Sequence, residues 1–203
     1  MTDITPFDAI PAAAPAAPPA RPRLLLLGTA LVSLAVTIGF ASLVGIYASN
    51  RAEVVRAGEP WLPRGVEIPL TQPNMMMFTL VFSAATMAWA TQAMRNDDRP
   101  NFHIATALSL LLGFAFIAQT AYLLTLMGLE IASNDRAPLV YALIGTHLVL
   151  TIAAMAFAAG MALRAFGGEF SAKDLEGVHG AAMFWYTTVG LYLVLWYAVY
   201  IIK

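Results

Sequence analysis

The sequence predicts an all-α fold, a polytopic membrane protein built as a bundle of five transmembrane helices. Three observations predict it. Of 203 residues, 60% are apolar or aromatic and only 11% are charged, against roughly a quarter charged in ordinary soluble domains. The uncharged residues gather into five long runs, and every Asp, Glu, Lys and Arg lies in a tail or a connection. None of the runs alternates polar and apolar residues over about 10 positions as a barrel strand does. Helices are then the remaining way to satisfy the backbone in lipid.

The runs cover residues 24–48, 75–94, 104–128, 137–163 and 181–202, together 119 residues. Each reaches the roughly 20 residues needed to cross a bilayer core. Residues 1–23 form an Ala/Pro-rich tail that reads as disordered or extended, and residues 24–203 form the transmembrane domain. The tail does not read as a signal peptide. Its basic residues, Arg21 and Arg23, come at its end, and the apolar run behind them is too long for an h-region. Residues 49–74 are the one long connection, with Pro60, Pro63, Pro69 and Pro73 around Trp61. The prolines predict an ordered, mostly non-helical flap on the membrane surface. Ser171 to Asp174 has the form of a capping box with Asp in place of Glu, which starts the last helix before the membrane.

Basic residues set the orientation. One side collects Arg21, Arg23, Arg95, Arg99, Arg164 and Lys173. The other collects Arg51, Arg56, Arg64, Arg136 and Lys203, three of them offset by Glu53, Glu59 and Glu67 in the long connection. The short connections favour a cytoplasmic N terminus and an external C terminus.

Several function classes are excluded. Eleven basic against 12 acidic residues give no positive field for nucleic acid. The absence of cysteine removes disulfides, thiolate zinc sites, cysteine nucleophiles and iron–sulfur clusters. The runs hold no carboxylate, Lys or Arg, which argues against a self-sufficient pump, transporter or charged channel filter. No internal repeat or interrupted helix supports a small-solute transporter.

Three histidines remain. His103 and His179 stand at the entrances of the third and fifth runs, where a polar residue is ordinary. His147 is deep in the fourth run, with no histidine at its level to complete a haem ligand pair. It reads as a packed, hydrogen-bonded histidine, and Gln119 is its expected partner. The two lie at depths that agree to about 1.5 Å on helices joined by a short connection. A hydrogen bond between them would satisfy both groups at about 0.6–2 kcal/mol.

Met75, Met76 and Met77 are consecutive, so they splay by about 100° each on a helix and cannot converge on a copper ion. Ala154, Ala158 and Ala162 form a small-residue stripe for helix packing. Tyr192, Trp196 and Tyr200 form a second stripe, and Trp196, Tyr197 and Tyr200 are the expected anchors at the external interface. The residues alone therefore describe an accessory subunit with no catalytic constellation.

Read in order, the runs resemble subunit III of the haem-copper oxygen reductases, in the short five-helix bacterial form. Phe40 to Tyr47 resembles that family's first-helix FAGLFAMY pattern. Ile68-Pro69-Leu70, Asn74 and Ser83 to Thr86 are similar to its PL-x-NT…SS-x-T segment. Leu112 to Phe116 with Gln119 and Tyr122 resembles LG-x-x-F…Q-x-x-EY. Gly145-Thr146-His147 resembles TGxH, and Phe184-Trp185 with Tyr200 resembles YWHFVD…VY. The resemblance covers roughly residues 24–202. The chain departs from the pattern at Val36, Ala121, Leu150, Tyr186 and Val189, where the family carries carboxylates and histidines.

The resemblance implies a non-catalytic subunit that binds no haem, copper or other metal itself. Haem and copper belong to the catalytic partner subunit. The chain would pack on that subunit and on other oxidase subunits in a bacterial plasma membrane, hold lipid in its clefts and help sustain proton uptake during oxygen reduction. An accessory protein of a nitric oxide reductase is an alternative from a related branch. A haem-b anchor of a quinone-linked dehydrogenase is an alternative from another class.

Overall fold

The computed structural model describes residues 23–62, 66, 68–129, 136–171 and 174–202. Within them the chain forms α1 (Leu24–Arg56), α2 (Thr71–Arg95), α3 (Arg99–Leu126), α4 (Ala137–Phe166) and α5 (Glu176–Leu195). A π-helical segment, Trp196–Ile201, continues α5 to the end of the described chain. Four of the helices, α1, α3, α4 and α5 with its continuation, are long and apolar enough to cross a membrane. α2 has 25 residues but is the most polar of the five, with Asn74, Thr79, Ser83 and Thr86 along its length. The architecture is a polytopic membrane bundle.

The helices outrun the uncharged runs, because charged side chains can continue a helix beyond the hydrocarbon. The largest difference is in the long connection. α1 runs on through Ser49–Arg56, a stretch without Gly or Pro, and stops where Gly58 takes φ +80°. Glycine reaches that left-handed backbone without steric cost. The expected non-helical flap thus narrows to the described residues between Ala57 and Leu70. The capping box does not form either. Ser171 and Asp174 exchange backbone hydrogen bonds at 3.0 and 3.3 Å, and α5 starts at Glu176 with Leu175 as its cap. The tail through residue 22, and with it Arg21, lies outside the described residues, as do Arg64, Lys173 and Lys203.

α2 and α3 form the closest helix pair. They are joined by Asn96, Asp97 and Asp98. Asp97 takes φ +53°, a conformation that Asp tolerates better than most residues. Asp98 then caps α3, its carboxylate accepting from the Asn101 backbone N–H at 3.2 Å. α5 packs on α1, α2 and α4 and is the hub of the bundle. Twelve of its 20 residues are buried, against four of 33 in α1, which lies at the edge. Gly113 lets α3 approach α4 and α5. A Cβ there would stand 2.8 Å from Met155 Sδ and 3.2 Å from the Trp185 ring.

Candidate functional site

The chemistry of the bundle interior is a seam of hydrogen bonds along α2. Thr79, Ser83 and Thr86 follow one another at spacings of four and three, so they share one side of the helix, and Asn74 stands five residues before Thr79 in the first turn. Asn74 Oδ1 accepts from Trp196 Nε1 at 2.8 Å. The Gln119 amide donates to Thr79 Oγ1 at 3.1 Å. Trp185 Nε1 donates to Ser83 Oγ at 3.0 Å. The hydroxyls of Thr86 and Ser109 share a bond of 2.7 Å. Six residues before Thr79, the backbone carbonyl of Pro73 accepts from Tyr192 Oη at 3.0 Å. The seam fastens α2 alternately to α3 and to α5. A polar side chain in hydrocarbon must find such a partner or lose the solvation that water gave it.

His147 is 1% exposed and lies outside that seam. Its Nε2 donates to the Thr188 carbonyl of α5 at 2.9 Å. A carbonyl only accepts, so this nitrogen carries the proton. The rings of Phe40, Phe116 and Tyr192 enclose the imidazole, with centroids 6.2, 5.4 and 5.2 Å away. Gln119 and His147, expected to bond to each other, take different partners: Gln119 turns to α2 and His147 to α5. Their matched depth says nothing about rotation around each helix axis. Phe116, three residues before Gln119, is what α3 presents to the imidazole.

Ala154 and Ala158 are buried and Ala162 is partly exposed. Ala158 borders a small cavity with Met87 of α2, Phe102 and Thr106 of α3, and Val178 and Ala181 of α5. Of the three expected anchors only Tyr197 is exposed, at 57%. Trp196 is half-buried and tied to Asn74. Tyr200 is completely buried, and its hydroxyl has no hydrogen-bond partner among the described residues. The π-helical winding of Trp196–Ile201 changes which residues face the core, and so turns Tyr200 inward.

The two ends of the bundle are held differently. At one end Trp61 is buried, its Nε1 donating to Tyr47 Oη at 3.0 Å. Arg136 reaches across from the start of α4, bonds the Pro60 carbonyl and the Glu59 carboxylate at 2.6 Å each, and lies over the Trp61 ring. Arg51 donates to the Ile202 carbonyl at this same end. At the other end Arg99 donates to the Phe170 carbonyl at 3.1 Å and Arg164 pairs with Glu169 at 2.6 Å. His103 stacks on Phe166 with centroids 3.6 Å apart.

Among the described residues, open grooves follow the outer surface. One, of about 310 Å³, is almost wholly apolar and runs between Leu24, Gly28 and Val32 of α1, Phe157 of α4 and Phe184 of α5. Another lies between α2 and α5, beside Arg95 and His179. Among the described residues no three His, Cys, Asp or Glu side chains come together as a metal-ligand set.

The α2 seam was not anticipated from the sequence. Its signal was the i, i+5, i+9, i+12 spacing of Asn74, Thr79, Ser83 and Thr86 within an otherwise uncharged run.

Comparison with known proteins places the chain. It is 25% identical over 156 residues to cytochrome c oxidase subunit 3 of Oryctolagus cuniculus, an alignment covering 76% of this chain and 60% of that protein. The Carassius auratus protein of the same name is 26% identical over the same shares. That of Prototheca wickerhamii is 24% identical over 163 residues, 79% of this chain and 62% of that protein. The chain thus spans about 60% of the length of these relatives. Residues 22–203, the whole helical bundle, match the family described as cytochrome c oxidase subunit III, and the chain belongs to that family.

Proposed function

We propose that the chain is the non-catalytic subunit III of a respiratory haem-copper oxidase in a bacterial plasma membrane, with its N terminus cytoplasmic and its C terminus external. It packs on the catalytic subunit, which carries the haem and copper, holds lipid against its outer helices and helps sustain proton uptake during oxygen reduction. The observation that carries this reading is how the interior polar groups are used. Thr79, Ser83, Thr86, Ser109, Gln119 and His147 bond to neighbouring helices, so their chemistry is spent on holding the bundle together. The exposed apolar face of α1, with Leu27, Leu31, Leu34 and Ile38, leaves area for a partner or for lipid. The α1/α4/α5 groove has the apolar walls an acyl chain would occupy.

A haem-b anchor fits these residues poorly. The Nε2 of His147 is committed to the Thr188 carbonyl, and three aromatic rings close on the imidazole where a porphyrin would lie.

Affinity purification of the full chain from its native membrane, followed by mass spectrometry and a haem spectrum, tests the proposal. Recovery of a haem-copper oxidase catalytic subunit is expected. Deletion of the chain should leave an oxidase that starts normally and loses activity as it turns over. Recovery with a nitric oxide reductase or a quinone-linked dehydrogenase, or stoichiometric haem on the isolated chain, would overturn it.

A further inference from the structure

Thr79 of α2 and Gln119 of α3 are both half-buried, and the bond between them uses only part of what they carry. The Gln119 amide donates one N–H to Thr79 Oγ1 at 3.1 Å. The Thr79 hydroxyl has a single proton, and it goes to the Met75 carbonyl at 2.9 Å. Gln119 Oε1 is 3.4 Å from that hydroxyl, beyond the usual O–H···O range. A primary amide has two N–H donors and a carbonyl with two lone pairs. One N–H and the carbonyl of Gln119 are therefore without a close partner among the described residues.

The depth of the pair makes this costly. Thr79 lies about 12 Å along α2 from Thr71, and Gln119 about 10 Å along α3 from Leu126, at the same end of an antiparallel pair. In a bilayer core of roughly 30 Å that level is within hydrocarbon. Lipid chains there offer no donor or acceptor, and water does not reach the amide.

The surroundings suit a helix laid alongside. Phe78 and Phe82 form an exposed row beside Thr79, and Ala118 and Tyr122 form one beside Gln119. The small side chain of Ala118 lets another backbone come close. The exposed face of α1 differs in kind. Leu27, Leu31, Leu34 and Ile38 are satisfied by acyl chains alone, whereas Gln119 requires a hydrogen-bonding side chain at its own level.

We infer that the α2/α3 face at Gln119 is a docking surface for a transmembrane helix of the catalytic subunit, which brings a hydroxyl, amide or imidazole to the unused side of the Gln119 amide. The inference rests on the proposed accessory role and deepens it, since it assigns the partner to α2/α3 and leaves the apolar face of α1 to lipid. The bond to Thr79 then holds the amide in place before the partner arrives.

The test uses the complex purified from its native membrane in mild detergent. The amount of chain retained per haem is followed as the detergent concentration is raised. Gln119→Leu should release the chain about threefold to tenfold more readily, the range matching one hydrogen bond between membrane helices. Thr79→Val breaks the same bond within the chain but keeps the amide, and should retain the complex close to the wild-type level. The isolated chains of these two variants should unfold alike. Ala118→Phe adds bulk on the exposed face and should release the chain without lowering its own melting temperature. Val149→Phe, at an exposed position of α4, should change nothing. The photo-crosslinker p-benzoylphenylalanine in place of Phe82 or Tyr122 should capture the catalytic subunit.

Equal release by Gln119→Leu and Thr79→Val would make the pair a clip within the bundle and overturn the inference. Wild-type retention of monodisperse Ala118→Phe would overturn it too, as would crosslinks from Phe82 and Tyr122 confined to lipid or to a second copy of the chain. The two claims fail separately. A haem-bearing complex whose crosslinks miss this face defeats only the docking surface. Crosslinks from this face to a protein without haem defeat the accessory reading itself.

Discussion

The indole of Trp185 and the hydroxyl of Ser83 meet at 3.0 Å between α5 and α2, both side chains almost wholly buried. Ser83 Oγ also donates to the Leu80 carbonyl at 2.6 Å, so this one oxygen is donor and acceptor at once. Ser83→Ala should orphan the indole N–H and cost about 0.6–1.7 kcal/mol, the span of such bonds between membrane helices. Ser83→Ala combined with Trp185→Phe should show positive coupling in a double-mutant cycle, measured by unfolding in mixed detergent. Strictly additive losses would mean that the bond contributes nothing.

His147→Leu removes the bond to the Thr188 carbonyl and leaves that oxygen with one partner fewer. The expected result is a less stable bundle and a lower yield of assembled complex. The oxygen-reduction rate per haem in whatever assembles should stay at the wild-type value. An assembled mutant complex that cannot turn over would give His147 a part in proton handling.

Tyr200→Phe should be neutral or slightly stabilising, within about 1 kcal/mol. The hydroxyl is buried with no partner among the described residues, so removing it forfeits no bond. A clear loss of stability in the isolated chain would contradict this reading of the π-helical segment.

Gly113→Ala places a methyl group 2.8 Å from Met155 Sδ and 3.2 Å from Trp185. The thioether can swing aside, but Trp185 is held by Ser83. Overpacking of this kind costs about 1–3 kcal/mol. The loss should be smaller in a Met155→Ala background, as read by thermal unfolding in detergent.

Arg136→Gln should free the connection over Tyr47 without unfolding the bundle. Glu59 is largely exposed and Arg136 partly so, and ion pairs reached by solvent contribute about 0–1 kcal/mol. The larger effect should be local, as faster proteolysis between Gly58 and Leu70 and a red shift in Trp61 emission. An unchanged cleavage rate would mean that the Tyr47–Trp61 contact alone holds the segment.

The helices were legible in the sequence because charge marks where a chain leaves the hydrocarbon, and the uncharged runs were long enough to leave no competing reading. Their ends were less legible. Ser49–Arg56 is charged and still helical, since charge ends a membrane span without ending a helix. The polar pairing was the least legible. Gln119 and His147 match in depth, but a hydrogen bond also needs the right azimuth, and α3 turns Gln119 toward Thr79. Tyr200 was misjudged for a related reason. An i+4 stripe assumes α-helical winding, and the chain winds more loosely from Trp196 onward.

The polarity of α2 bears on how the protein is made. A segment carrying Asn74, Thr79, Ser83, Thr86 and Thr91 has little to gain by entering lipid alone, because its hydroxyls and amide would arrive unpaired. Two of its partners, Ser109 and Gln119, are on α3, which follows after only Asn96, Asp97 and Asp98. The translocation machinery therefore has reason to hold α2 until α3 emerges and to release the two as one hairpin. Trp185 of α5 and Trp196 of its π-helical continuation are synthesised after both and close the remaining bonds, so a later helix locks in a segment that its neighbour carried into the membrane.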